Sequence, residues 1–202
     1  MEIQSDITCL VGKNVSGKTA FLHALYRLRP GRPDAKFFSP EQYPAWTEKR
    51  DRMKGVNIEQ HRPIRAVFKL EPDDLQDVEK RFGADVISGD TLTLQKNYKN
   101  ETTYILSRNE KSAVNNLVSG LSFPTSVADR VQRAESFDAL KKLIADLRAD
   151  KEDESTSAAT TIENRYNEVL GNETFVDAVW KLIEPKIPKF FTIRITGTCR
   201  IP

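Results

Sequence analysis

The octapeptide GKNVSGKT, Gly12 to Thr19, decides how the rest of this chain is read. It fits the pattern G-x-x-x-x-G-K-[ST] at every fixed position. Glycine at positions 12 and 17 lets the backbone turn tightly and approach an oxyanion with no side chain in the way. Successive N–H groups then surround phosphate oxygens, aided by the positive end of the helix that follows. The ammonium of Lys18 is expected to reach the β- and γ-phosphates, and the hydroxyl of Thr19 to hold Mg²⁺. Asn14, Val15, Ser16 and Ala20 complete the set expected to surround the nucleotide. Val15 is the awkward member, because a β-branched residue tolerates positive φ poorly.

The flanks fit this chemistry. Ile7 to Val11 is a short, mostly apolar run that ends at Gly12. It reads as a strand, with Cys9 as a buried structural thiol. From Lys18 to about Arg29 the pattern is helical, with Phe21, Leu25 and Leu28 on one face. Pro30-Gly31-Arg32-Pro33 then stops the helix. Strand, glycine loop and helix follow in the order that phosphate binding requires.

Composition narrows the class. The chain has 202 residues, 39% hydrophobic and 30% charged, with a net charge of +2. Mean hydropathy is −0.52. That charge argues against a strongly basic nucleic-acid domain. No stretch reaches the roughly 18–20 apolar residues that span a bilayer, and no apolar segment follows Met1 as a secretory signal would. A soluble cytoplasmic protein without a membrane partner is expected. Cys9 and Cys199 cannot form a disulfide framework and are too few for a zinc site.

Beyond the first helix, residues 31–62 read as a long polar loop with one short helix around Trp46 to Met53. Ile64 to Leu70 reads as a strand. Pro72-Asp73-Asp74 opens a helix to about Phe82, with both aspartates at its positive end and Gly83 closing it. Thr91–Gln95 and Thr102–Leu106 are β-rich, and Lys99-Asn100 between them suits a hairpin turn. After about Glu110 the chain turns helical. Phe137, Leu140, Ile144 and Leu147 keep helical spacing, as do Val176, Val179, Trp180 and Ile183. The polar, initially acidic stretch DKEDESTSAATT, residues 150–161, reads as a flexible linker.

Asn14 sharpens the reading. The segment ITCLVGKNVSGKTAFLHALYRLRP resembles the Walker A region of ABC/SMC-like P-loop ATPases of the RecF and OLD (overcoming lysogenisation defect) type. These are ATP-binding (AAA) proteins whose usual form is G-x-N-x-x-G-K-[ST] followed by a helix. Ala20, Phe21, Leu22, Ala24, Leu25 and Leu28 match that helix. Tyr43-Pro44, the strand RAVFKL followed by EPDDLQDVEKRFG, and the hairpin after it also look like that family's N-terminal lobe. The resemblance runs over most of residues 6–191, but only the Walker A portion is specific. It implies an α/β fold: the N-terminal lobe of a P-loop ATPase head with an antiparallel β segment and a helical C-terminal arm. The Walker A and β lobe would occupy residues 1–110 and the arm residues 111–191. It also implies ATP and Mg²⁺ as cofactors, dimerisation in an intact relative, and coupling of hydrolysis to work on DNA or to defence.

Other family hallmarks are missing from the sequence. A Walker B site needs four apolar strand residues ending in Asp, usually followed by Glu. VFKLE (67–71) is broken by Lys69, DVISGD (85–90) is too short, and VWKLIE (179–184) is helical. No LSGGQ-like signature is present, since VSGLS (118–122) lacks the Gln, and no Toprim acidic cluster is recognisable. Catalytic residues are therefore not assigned. PKFF (188–191) is family-like, whereas TIRITGTCRIP (192–202) is not. A one-base shift of permissive codons converts it into the family's aromatic pattern. Residues 192–202 are accordingly expected to be an aberrant, frameshifted tail. Without sheet neighbours, Ile7, Cys9 and Val11 would expose apolar surface.

Other residues carry blander readings. Lys49, Arg50, Arg52, Lys54, Arg62 and Arg65 can reach DNA phosphates, but Glu48, Asp51 and Glu59 interrupt them, and a solvated face is the expectation. His23 and His61 lack partners at ligand spacing. Two functional classes remain: an ATP-binding part of an ATPase, or a non-catalytic chain acting only through helical surfaces of residues 111–187 or not at all. A small P-loop kinase is disfavoured, because neither an acceptor motif nor an arginine-rich lid is present.

Overall fold

The structure, a computed structural model, describes residues 3, 8–13, 16–32, 43–150 and 152–191. Its elements in chain order are α1 (Lys18–Leu28), α2 (Ala45–Met53), β1 (Ile64–Lys69), α3 (Pro72–Phe82), β2 (Ile87–Lys96), β3 (Thr102–Arg108), α4 (Glu110–Val118), α5 (Thr125–Gln132), α6 (Phe137–Ala149), α7 (Asp153–Val169) and α8 (Phe175–Ile183). The fold is thus mixed α/β. Its three strands form one antiparallel sheet in the order β1-β2-β3.

Local chemistry accounts for most boundaries. In α3 the N–H of Glu71 donates to Asp74 Oδ2 at 2.9 Å, so Asp74 caps the helix start while Glu71 takes the N-cap position. Gly83 ends α3 with φ 89, and a Cβ there would lie 2.4 Å from Asn116 Nδ2. That amide is fixed in place, donating to Phe82 O at 3.1 Å and Ala84 O at 2.9 Å. In the β2–β3 turn, Asn97 Oδ1 accepts from the N–H groups of Lys99 and Glu101 at 3.0 and 2.9 Å. Asn100 takes the left-handed conformation, φ 67, which asparagine tolerates better than most residues. Both strands run longer than the β-rich runs alone indicate.

The chain divides into two compact units. Unit 1 comprises residues 1–66, 93–104 and 188–202; unit 2 comprises residues 67–92 and 105–187. The division crosses all three of the described strands. In unit 2, α3, α4 and α6–α8 bury an aromatic cluster. The ring of Phe175 stands 5.2 Å from Phe82 and 5.1 Å from Phe137. Val114, Leu140, Leu147, Ile162, Val179 and Ile183 are fully buried there. Trp180, expected in the core, is half-buried.

The linker expected over 150–161 is overturned. Residues from Asp153 onward form the first turns of α7, 17 residues long. Ser155, Ala158, Ala159 and Ile162 are buried. Their spacing of three, four and seven is that of one helical face. The stripe is made of small residues, which fill a narrow gap between helices and leave little hydrophobic signal in the sequence. Asp153 and Glu154 lie in the first turn, where carboxylates favour a helix.

Candidate functional site

The glycine loop opens α1 as its motif demands. Gly17 is the N-cap in the left-handed region, φ 85 and ψ 4, where a Cβ would be strained. The first helical bond runs from Phe21 N–H to Gly17 O at 2.9 Å. No side chain caps α1, and its first turn holds no acidic residue. The N–H groups and positive dipole end of α1 are therefore not neutralised from within the helix. Thr19 and Ala20 are exposed in that first turn.

Lys18 folds back over the loop. Its Nζ donates to Gly12 O and Lys13 O, both at 2.7 Å, and to Ser16 Oγ at 3.2 Å. Those contacts use all three donors of an ammonium. Gly12 is packed closely enough that a Cβ would come within 2.8 Å of Ser16 Oγ. Gly12, Ser16, Gly17, Lys18, Thr19 and Ala20 are thus gathered at one helix start. Asn14 and Val15, and with them the expected strain at Val15, lie outside the described residues, as do Ile7 and residues 192–202.

The segment before the loop departs from expectation. Thr8 to Lys13 carries no strand pairing, and Cys9 is exposed instead of buried. Val11 is 93% exposed. The apolar spacing is there, but an apolar run becomes a buried strand only where neighbouring strands cover it. Among the described residues none does.

The far end of α1 is held more firmly. Its last-turn carbonyls lack intrahelical donors, as at any helix end. Phe190 N–H donates to Arg29 O at 2.8 Å, and Gly31 N–H returns the bond to Phe190 O at 2.8 Å. These form a parallel bridge between Pro30 and Phe190. Gly31 admits the adjoining ring, since a Cβ there would overlap Phe191. From β2, Lys96 Nζ donates to Arg27 O at 2.8 Å. Lys96 is 7% exposed, and burial pushes its pKa below the ordinary lysine value. The sequence reading passed over Lys96. The alternation Leu92, Leu94, Lys96 could have found it, because it puts the lysine on the inward face of β2.

The remaining candidates are dispersed. Arg50 pairs with Asp51 at 3.0 Å and Arg52 with Glu48 at 3.0 Å, as a solvated helix face would. His23 and His61 are exposed. Among the described residues no group of three or more His, Cys, Asp or Glu is placed to hold a metal. Thr19, the residue expected to hold Mg²⁺, stands exposed in the first turn of α1. No described helix is long and apolar enough to cross a membrane. Comparison with protein-family models, curated proteins and solved structures returns no match to this chain.

Proposed function

We propose that Gly12–Thr19 binds the phosphates of Mg-ATP, and that the chain is the nucleotide-binding lobe of a P-loop ATPase head of the ABC/SMC-like, RecF/OLD kind. The observation that carries the reading is the seat of Lys18. A lysine ammonium is held over the loop by Gly12 O, Lys13 O and Ser16 Oγ, beside a helix start with no internal anion. An arriving phosphate would exchange the ammonium's contacts with neutral carbonyls for an ion pair, in which donor and acceptor are both charged. Backbone N–H groups of the loop and of α1 would complete the cradle. Thr19 would meet the metal bridging the phosphates. Hydrolysis would need a carboxylate to polarise the attacking water, supplied from outside this set, so binding without turnover is the expected activity. Dimerisation and DNA-linked or defence work belong to the same proposal, through the family resemblance alone.

The test is calorimetric titration with Mg-ATP. The wild type should bind, and Lys18→Ala should weaken binding at least tenfold, about 1.4 kcal/mol. Equal affinity in the two proteins refutes the reading. Competition by GTP decides the base. One observation favours the second reading, a non-catalytic chain acting through the surfaces of α4–α8. Thr8–Lys13 forms no strand among the described residues, so no described strand leads into the loop as the motif expects. That reading predicts weak binding or none, by either protein.

A further inference from the structure

Lys96 is a buried lysine on a strand, and its Nζ reaches the last turn of the helix that begins at the glycine loop. Burying an ammonium is costly unless something compensates it. Among the described residues Lys96 makes no ion pair, and desolvation is the only influence on its proton affinity that is resolved. What it meets instead is the carbonyl of Arg27 at 2.8 Å. That carbonyl lies at the negative end of the α1 dipole, where a cation is favoured. Backbone bonds hold this helix end too, Phe190 N–H on Arg29 O and Gly31 N–H on Phe190 O. Lys96 adds a charged hold, and it joins α1 to β2 within unit 1. A helix whose C-terminal end is fixed presents its N-terminal N–H groups in one direction. A helix free to tilt does not, and phosphate binding depends on that direction.

We propose that Lys96 is a positioning residue for the nucleotide loop: by clasping the C-terminal turn of α1 it fixes the aim of the helix start, so that phosphate affinity depends on a side chain at the opposite end of the helix. This rests on the nucleotide reading above.

The experiment titrates Mg-ATP into the wild type, Lys18→Ala, Lys96→Met and Lys96→Arg. Circular dichroism and melting without nucleotide show that each is folded. Amide exchange across residues 18–28 is read in the same samples. Lys96→Met should bind about tenfold more weakly, a coupling of ordinary size between linked sites, with faster exchange along α1. Lys96→Arg, which keeps the charge and the donor, should restore most of the affinity. A purely structural role would lower the melting temperature of Lys96→Met and leave the affinity of the folded protein unchanged. That result overturns the inference while the nucleotide reading stands. Absence of binding in the wild type overturns both. Lys96→Gln, shorter and uncharged, is read alongside in case the methionine variant does not fold, and unchanged affinity there is equally fatal.

Discussion

Tyr43 and Asp51 show how much a single polar contact near the α2 helix decides. Tyr43 is 6% exposed, and its hydroxyl donates to Asp51 Oδ2 at 2.8 Å. That bond is the main reason the Asp51 carboxyl is held below its ordinary value of 3.8, and the Arg50 guanidinium adds to it. A carboxyl with a depressed folded pKa stabilises the fold above its unfolded value and loses that contribution as pH falls through the folded one. Tyr43→Phe should therefore flatten the loss of stability below about pH 3.8. Urea unfolding of both proteins from pH 6 to pH 2 checks this, and parallel curves would refute it. The same residue scale separates what the sequence disclosed from what it hid. The conformational demands at Gly17 and Gly83 follow from the absence of a Cβ, and both positions adopt positive φ. The exposure of Val11 and Cys9 accords with the expectation for an apolar run without sheet neighbours, whereas the reading of Cys9 as a buried thiol failed, because spacing along a strand says nothing of whether neighbours exist to cover it.

At the scale of elements, α3 and α7 mark the two extremes of legibility. The bounds of α3 were readable because each has a chemical cause: a carboxylate at the start, Pro72 in the first turn, a glycine at the end. In α7 the buried face is Ser155, Ala158, Ala159 and Ile162, and three of those residues carry almost no hydrophobic signal. Serine- and threonine-rich sequence then imitates a linker. The hydroxyls of Thr160 and Thr161 donate to the carbonyls of Thr156 and Ser157 at 2.9 and 3.0 Å, four residues back, so these side chains are satisfied within the helix. Close packing against α7 makes a sharp prediction. Ala159 is fully buried, and Ala159→Leu should destabilise unit 2 by about 1–3 kcal/mol through overpacking. A flexible linker would accept leucine at no cost, so an unchanged urea midpoint would refute the packed helix. The candidate site was legible where it is covalent sequence, Gly12 to Thr19. At Lys96 the inward position was legible in the strand alternation, but its partner, 69 residues away, was not.

At the scale of the whole molecule, the glycine loop proposed to bind nucleotide belongs to unit 1, assembled from three separate stretches of chain. Saturating Mg-ATP, at about 100 times its Kd, should stabilise that unit by about 2.7 kcal/mol. The measurement is amide exchange with and without nucleotide. Slowing is expected in residues 16–32 and 93–104, and exchange unaltered there at saturation would count against the loop. The chain order of unit 1 also has a consequence during synthesis. The glycine loop and α1 leave the ribosome ahead of the other two stretches of unit 1, and Phe190, which bridges Pro30, follows 160 residues after it. At ~5–20 residues per second this is a delay of about 8–30 s. Throughout that interval the end of α1 lacks its Phe190 partner. The helix behind the glycine loop is thus completed only when the last stretch of unit 1 arrives, and a nascent-chain chaperone has that whole interval in which to act on it.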